Sequence, residues 1–321
     1  MTTRTKQDAA SPHLFGPVPS RRLGYSLGID LVPHKVCTLD CVYCEVGHTT
    51  KRTLQRQEWV PTAEVEAELE AWLVKDGQAD YLTFSGYGEP TLHSDIQHII
   101  RFLKDRTTTP LALLTNGTLF WMPEVRREVA ELDLIMPSLD AADPDTFTRI
   151  NRPHPDLDVE RVIEGLVALR REFEGQIWLE VLLVSGINDA DAELDRIAEA
   201  VARIDPDKVQ LNTVARPGSE AWAVAASLDV QERARDVFGE RCEVVADFQH
   251  TSKSPCAPQP ANVTERILGV ILRRPETQER LADALGVALP AVEAAVAALL
   301  EQGRVRLDER NGQRFVLPAA R

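Results

Sequence analysis

The chain has 321 residues, of which 44% are apolar, and a formal net charge of −14. This length and apolar content are enough to bury a large core, so disorder is excluded as the main state. The sequence has no apolar run long enough to cross a bilayer and no secretion signal near its start, so we expect a cytoplasmic protein without membrane contact. The negative charge argues against nucleic acid as a general partner.

Six short β-rich runs alternate with amphipathic helical runs between residue 25 and about residue 214. This alternation is typical of βα units around a mostly parallel sheet. If the strands curl side by side, they form an incomplete barrel whose working residues lie at the carboxyl ends of the strands. The predicted strands are 24–32, 81–86, 111–116, 132–139, 177–184 and 208–214, followed by one more helix and strand within 227–248.

A second, smaller domain is predicted after a proline-rich segment. Three amphipathic helical runs and a hairpin turned at Asn311 and Gly312 follow this segment. Their order resembles a winged helix-turn-helix. We therefore divide the chain into an N-terminal extension (1–24), an α/β core (25–249), a linker (250–262) and a winged-helix-like domain (263–321).

Three of the five cysteines fall within eight residues, at C-x-x-x-C-x-x-C spacing after the first predicted strand. The odd number and the expected reducing compartment argue against a disulfide framework. Three soft ligands on one loop, Cys37, Cys41 and Cys44, can wrap an iron–sulfur cube and leave one iron open. The alternative is a zinc site, which would need a fourth ligand. The candidates for that ligand are His34, His48, Cys242 and Cys256.

The cysteine loop, with the aromatic Tyr43 immediately before its last cysteine, resembles the radical S-adenosylmethionine (radical SAM) signature. The resemblance implies a partial (β/α)6 barrel, a 4Fe-4S cluster on the three cysteines, and SAM bound through its amino and carboxylate groups to the open iron. It also implies that Tyr43 lies near the adenine of SAM. A flavodoxin- or ferredoxin-type reductase would donate the electron that splits SAM into methionine and a 5′-deoxyadenosyl radical.

A Gly-Tyr-Gly-Glu-Pro sequence follows the second predicted strand, where this superfamily has its Gly-Gly-Glu-Pro motif. The resemblance implies that Glu89 holds the ammonium of SAM, while Gly86 and Gly88 expose backbone groups to it. Tyr87 departs from the family pattern at the usual second glycine. Taken alone, such a sequence would more often be an ordinary turn.

Polar residues also end the third and fourth predicted strands, where members of the superfamily place groups near the ribose and carboxylate of SAM. Asn116, Ser138 and Asp140 are the candidates by this resemblance. The alternative for Asn116 is a turn, and for Ser138 or Asp140 a helix cap. Weaker candidates lie in two segments, 184–189 with Asn188 at the end of the fifth strand and 210–213 with Gln210 and Asn212 in the sixth, if strand alternation turns them toward the cavity.

Residues 15–217 resemble a narrower branch of uncharacterised bacterial proteins related to the tRNA wyosine-base synthase. This likeness rests on the sequences at 16–24 and 26–30 and on the cysteine loop. The chain has no cysteine before Cys37, and no catalytic lysine can be matched to it, so wyosine synthesis is not implied. Cys242 and Cys256 fit buried or incidental thiols better than ligands of a second cluster.

Several charged residues next to predicted strand ends are candidates for binding an anionic substrate or the SAM carboxylate, with a structural role equally open. These are Arg21, Arg22, His154 and Arg216. In the small domain, the helix in the recognition position carries only Glu293 and Glu301 as charges, which argues against DNA readout. The hairpin arginines, Arg304, Arg306, Arg310 and Arg314, could contact a phosphate backbone or an acidic protein. For the whole domain we favour a protein-contact or substrate-presenting module, with RNA contact second.

We therefore predict an enzyme that uses the deoxyadenosyl radical to take hydrogen from an unknown substrate, which is a nucleotide in RNA, a peptide or a small molecule. One alternative is an activating enzyme that installs a radical on a partner protein. The other is a transcription regulator that senses through an iron–sulfur or zinc site. The acidic recognition helix and the large α/β domain disfavour the regulator.

Overall fold

A computed structural model of the chain describes residues 13–20, 22–75, 77–245, 263–310 and 312–319. The predicted linker, Arg21, Cys256 and Asn311 lie outside these residues. Among the described residues, no single helix is long and apolar enough to cross a membrane. The helices Gln278–Leu285 and Leu289–Glu301 reach that length and apolar character only when taken together, and they are bent by 118° relative to each other.

All six predicted strands are confirmed, and they lie side by side in one parallel sheet. The further strand predicted within 227–248 is also present, and it runs parallel at one edge of this sheet. The main sheet contains β1 (Leu14–Ser20), β2 (Gly24–Ile29), β5 (Tyr81–Phe84), β6 (Leu111–Thr115), β7 (Leu134–Pro137), β8 (Gln176–Leu183), β9 (Lys208–Thr213) and β10 (Cys242–Val244). Between β2 and β5 lie the two-residue strands β3 (Val36–Cys37) and β4 (Lys51–Arg52), which pair with each other.

The opposite edge of the sheet is β1, which pairs antiparallel with β2. These residues fall in the segment that the sequence assigned to an N-terminal extension, so that assignment needs correction from residue 14 onward. Two prolines and a glycine within 14–20 make this strand hard to predict from the sequence. Proline cannot donate a hydrogen bond to a neighbouring strand, so within sheets it is confined to positions such as edge strands.

Helices cover the sheet and bury their apolar faces against it. In α2, the four residues Ile96, Ile99, Ile100 and Leu103 have no exposed surface. Burying each such side chain contributes roughly 1.5–3 kcal/mol. The helices of this part are α1 (Thr62–Leu73), α2 (Ile96–Lys104), α3 (Pro123–Glu128), α4 (Pro144–Asn151), α5 (Val159–Glu172), α6 (Asp191–Ile204) and α7 (Leu228–Phe238).

The C-terminal residues form a second hydrophobic core with helices and a three-stranded sheet, as the sequence pattern indicates. Its elements are α8 (Val263–Ile271), β11 (Glu276–Thr277), α9 (Gln278–Leu285), α10 (Leu289–Glu301), β12 (Val305–Arg310) and β13 (Gln313–Pro318). Val18 of β1 packs into this second core. The edge strand of the main sheet therefore carries the C-terminal region against the α/β core.

Candidate cofactor site

The three predicted cysteine ligands line one cavity of about 280 Å³. The opposite wall comes from residues at the carboxyl ends of β5, β6 and β7, as expected for βα units. The predicted residues at this cavity are Cys37, Cys41, Cys44, Tyr43, Gly86, Gly88, Glu89, Asn116 and Ser138. Asp140 is not at its surface but lies directly behind Tyr43, and the Tyr43 hydroxyl donates to its carboxylate.

Each of the three cysteine sulfurs has one side-chain N–H donor. The Lys35 ammonium lies 3.0 Å from the Cys44 sulfur. The side-chain amide of Asn116 donates to Cys37, and that of Asn151 donates to Cys41, both at 3.4 Å. Hydrogen bonds to cluster sulfurs are one of the means by which proteins set reduction potentials.

Lys35 is a residue of the site that the sequence did not single out. It is 2% exposed, lines the cavity and has a left-handed backbone with φ of 59°. Burial lowers the pKa of this ammonium, but the sulfurs of Cys44 and Cys37 outweigh burial, so the pKa is raised overall. Lys35 therefore keeps its positive charge beside the cysteine loop.

Burial has the opposite effect on the thiols of Cys37 and Cys41, whose pKa values it raises. It raises the pKa of Cys37 to about 11 and raises the pKa of Cys41 further. Buried thiols of this kind stay neutral until a cation binds, and the iron of a cluster would supply that cation, because cluster ligands bind as thiolates. The three thiols, their N–H donors and the adjoining cavity thus fit a cluster with SAM beside it.

Backbone hydrogen bonds join the cysteine loop to the turn at 86–89. The Lys35 N–H donates to the Tyr87 carbonyl at 2.8 Å, and the Glu89 N–H donates to the Val36 carbonyl at 3.1 Å. Gly88 permits this approach, because a Cβ atom there would lie 1.9 Å from the Val36 oxygen. The two segments that are predicted to bind the cofactors are therefore held in fixed register.

Glu89 lies at the centre of this arrangement and is 1% exposed. Its carboxylate accepts from the backbone and hydroxyl of Thr91, from the Thr115 hydroxyl at 2.6 Å, and from the Asn116 N–H at 2.8 Å. Burial raises the pKa of this carboxyl, and these donors oppose the rise. The donors show that Glu89 ties the ends of β5 and β6 together. Its binding of the SAM ammonium stays a prediction.

Tyr43 and Asp140 belong to a buried network behind the cavity. Besides Tyr43, Asp140 accepts from the Asn151 amide at 2.8 Å and from the Leu182 N–H at 3.0 Å. Asn151, which sequence reasoning missed, thereby joins this network to Cys41. The proximity of Tyr43 to the adenine of SAM stays a prediction.

Two of the candidate anion-binding arginines already have carboxylate partners. Arg22 lines the cavity, where it pairs with Glu180 of β8, and Gln210 lies next to it. Arg216 is buried between Glu45 and Glu276, at 3.3 and 3.0 Å. Both are therefore structural ion pairs in this conformation.

The remaining candidates lie away from the cavity lining. His154 lies 3.8 Å from Asp156, and Asn188 bonds to the backbone of Val184, Asp140 and Leu182. Cys242 is in β10 at the edge of the sheet.

Among the described residues, no group of three or more His, Cys, Asp or Glu is arranged to hold a single metal ion. A 4Fe-4S cube binds each cysteine at a different iron and needs no such convergence.

The Radical SAM superfamily model matches residues 31–198, more than half of the chain. The chain belongs to the radical SAM superfamily. The matched residues include the cysteine loop, the turn at 86–89 and the ends of the next two strands. Members of this superfamily use a 4Fe-4S cluster and SAM, and they need an electron donor.

Relatives extend the likeness beyond this region. The chain is 36% identical over 96% of its length to a protein named GTPase Obg from Brachyspira hyodysenteriae, of which it spans 45%. It is also 36% identical over 70% of its length to a UPF0026 protein from Methanocaldococcus jannaschii, of which it spans 71%. This chain lacks the Gly-x-x-x-x-Gly-Lys-Ser/Thr phosphate-binding loop.

Among solved structures, a radical SAM methyltransferase from Sphaerobacter thermophilus has the same fold, with a TM-score of 0.53 and 17% identity over 68% of this chain and 66% of that one. At this identity the likeness concerns the fold alone. The superfamily and the parallel α/β fold are thus confirmed, while the relation to the wyosine-base synthase stays a prediction.

Proposed function

We propose that this protein cleaves SAM reductively at a 4Fe-4S cluster held by Cys37, Cys41 and Cys44, and that it takes hydrogen from a further substrate. The observation that supports this proposal most strongly is that the three cysteines line one cavity together with the turn at 86–89. When bound, the reduced cluster supplies the electron that splits SAM into methionine and a 5′-deoxyadenosyl radical.

The protein's own residues bind and orient SAM and hold the cysteine loop in place. In this proposal, the turn at 86–89 and Asn116 hold the methionine part of SAM, while Tyr43 and Ser138 hold its nucleoside part. Lys35, Asn116 and Asn151 donate to the three sulfurs and fix the cysteine loop. The Arg22–Glu180 pair forms a polar part of the cavity wall, where it would meet the substrate or close the site.

The C-terminal residues fit a winged-helix-like domain, because their order is helix, strand, helix, helix, strand, strand. In that fold α10 would occupy the recognition position, and it carries only acidic charges, Glu293 and Glu301. This composition supports a protein contact over a nucleic-acid contact, with RNA second. It also disfavours the regulator alternative. A flavodoxin- or ferredoxin-type reductase is the proposed electron donor.

The test is anaerobic reconstitution with iron and sulfide, reduction, addition of SAM, and quantification of 5′-deoxyadenosine and methionine. The wild type and a Cys242→Ala control should form both products, whereas Cys41→Ala should form neither. Wild-type protein that holds a reduced 4Fe-4S cluster and leaves SAM intact would overturn the proposal.

A further inference from the structure

A buried arginine of the C-terminal domain reaches the end of β2. Arg273, just after α8, donates from Nε to Asp30 at 2.7 Å, and the two residues are 7% and 3% exposed. Burial raises the pKa of Asp30 to about 6, while Arg273 acts against this rise. Asp30 is therefore a carboxylate that depends on Arg273 for its charge compensation.

The second oxygen of Asp30 holds the turn at 86–89. It accepts the backbone N–H of Tyr87 at 2.6 Å. Gly86 leaves room for this contact, because its φ is +132° and a Cβ atom there would lie 1.4 Å from the Asp30 oxygen. The Tyr87 carbonyl then accepts from the N–H of Lys35, whose ammonium contacts Cys44. One series of contacts thus runs from Arg273 to a cluster cysteine.

The side chain of Tyr87 takes part in the same contact. The Arg273 guanidinium lies between two aromatic rings, 4.2 Å from the centroid of Phe15 and 4.5 Å from that of Tyr87. Cation–π contacts of this kind are stronger when the cation is desolvated. They give a physical reason for a tyrosine where the superfamily motif has a glycine, since a glycine would leave one face of the guanidinium uncovered.

A second buried connection ends at the same loop. Glu276 of β11 pairs with Arg216 at 3.0 Å, and Arg216 also contacts Glu45, the residue after Cys44. Arg216 and Glu276 are 4% and 1% exposed. The C-terminal domain is therefore connected to two segments that line the cavity, the turn at 86–89 through Asp30 and the cysteine loop through Arg216.

We propose that Arg273 is a positioning residue, through which the C-terminal domain holds the turn at 86–89 in the shape that binds SAM. This inference rests on the proposed function, which places SAM against that turn. Without Arg273, the Asp30 carboxylate loses its compensating charge and the Tyr87 ring loses the guanidinium that it contacts. The turn then relaxes, although no SAM-contacting residue has been changed.

The first test compares SAM affinity among full-length, cluster-loaded proteins by equilibrium dialysis. Arg273→Met should weaken SAM binding by about tenfold, within the usual range of coupling between sites. Arg273→Lys should retain part of the SAM affinity, because it keeps the positive charge. It should not retain all of it, because lysine lacks the paired hydrogen bonds of arginine. The matched control is Arg304→Met, which removes an exposed pair with Glu265 in the same domain. Iron content should be the same in all four proteins.

The second test needs no cofactor. Hydrogen exchange of the apoprotein, followed in peptides that contain Tyr87 and Lys35, should be faster in Arg273→Met than in Arg304→Met. The third test uses the cluster-loaded protein again. A Tyr87→Leu variant should weaken SAM binding less in the Arg273→Met background than in the wild type, because both changes remove the same contact. If Arg273→Met does not fold, the same comparison is made with Arg273→Lys.

The outcomes separate the two proposals. Wild-type protein that takes up the cluster and binds no SAM overturns the proposed function, and this inference with it. If the wild type binds SAM and the Arg273 variants bind it as tightly, with unchanged exchange at Tyr87, only the positioning role is overturned. Weaker binding with normal iron content and faster exchange supports that role.

Discussion

The Lys35 ammonium lies 3.0 Å from the sulfur of Cys44, and both residues line the same cavity. A buried positive charge next to a cluster ligand stabilises the form of the cluster that carries the extra electron. Removing the charge should therefore make the cluster harder to reduce.

We expect Lys35→Met to take up a cluster, because the three cysteines remain, and to have a lower midpoint potential than the wild type. Redox titration followed by absorbance checks this. Lys104→Met, which removes a surface pair with Asp133, is the control and should leave the potential unchanged. Equal potentials in the wild type and Lys35→Met would show that the ammonium does not act on the cluster.

Gly88→Ala should destabilise the protein by about 1–3 kcal/mol, as overpacking usually does. The new Cβ atom would lie 1.9 Å from the Val36 carbonyl oxygen, and backbone on both sides would have to move. Because Val36 precedes Cys37, SAM affinity should fall as well. Chemical denaturation and SAM binding measure the two effects. Gly269→Ala has no atom within 4 Å of its Cβ and should be tolerated, so equal losses in both variants would contradict this account.

Glu89→Gln should cost about 1–3 kcal/mol of unfolding free energy, since an amide nitrogen replaces one acceptor oxygen among groups that all donate. The Asn116 N–H or the Thr91 and Thr115 donors then lose a partner. Glu172→Gln breaks an exposed pair with Arg126 and should cost less than about 1 kcal/mol. A Glu89 variant as stable as this control would show that the carboxylate is not needed to join β5 and β6.

Asp30 predicts a pH dependence of stability with a definite sign. Because its pKa is raised from 3.8 to about 6, the folded protein holds this proton more tightly than the unfolded chain. Between about pH 4 and pH 6, wild-type stability should therefore fall relative to Asp30→Asn as the pH rises, by at most about 3 kcal/mol. Well above pH 6, where Asp30 is ionised in both states, the difference should be constant.

Denaturant unfolding of both apoproteins at several pH values checks this prediction. His13 and Arg273, the other charged groups that act on Asp30, are present in both proteins, so the difference reports Asp30 together with its interactions with these two groups. A wild type that gains stability over Asp30→Asn as the pH rises would reverse the sign and contradict the raised pKa.

The sequence predicted the six central strands because buried parallel strands are nearly continuous apolar runs with polar ends. The strand predicted at 111–116, for example, is Leu111–Thr115 in the structure. The cysteine spacing likewise indicated the cofactor without knowledge of the fold. Short-range patterns were sufficient for both.

Contacts between distant residues were not predictable in this way. Asp30 and Arg273 are 243 residues apart, and nothing in either segment indicates the other. Lys35 reaches Cys44 from a left-handed backbone that its residue type does not suggest. Arg216 was a candidate for binding an anion, but its partners Glu45 and Glu276 lie 171 and 60 residues away.

Electron paramagnetic resonance of the reduced, reconstituted protein before and after addition of SAM tests the central claim most directly, because it observes the cluster and its open iron together. The account predicts one 4Fe-4S cluster per chain, a change of its spectrum when SAM binds, and loss of the signal in Cys37→Ala, Cys41→Ala and Cys44→Ala. A spectrum that SAM leaves unchanged, or a chain that binds zinc in place of the cluster, would contradict it.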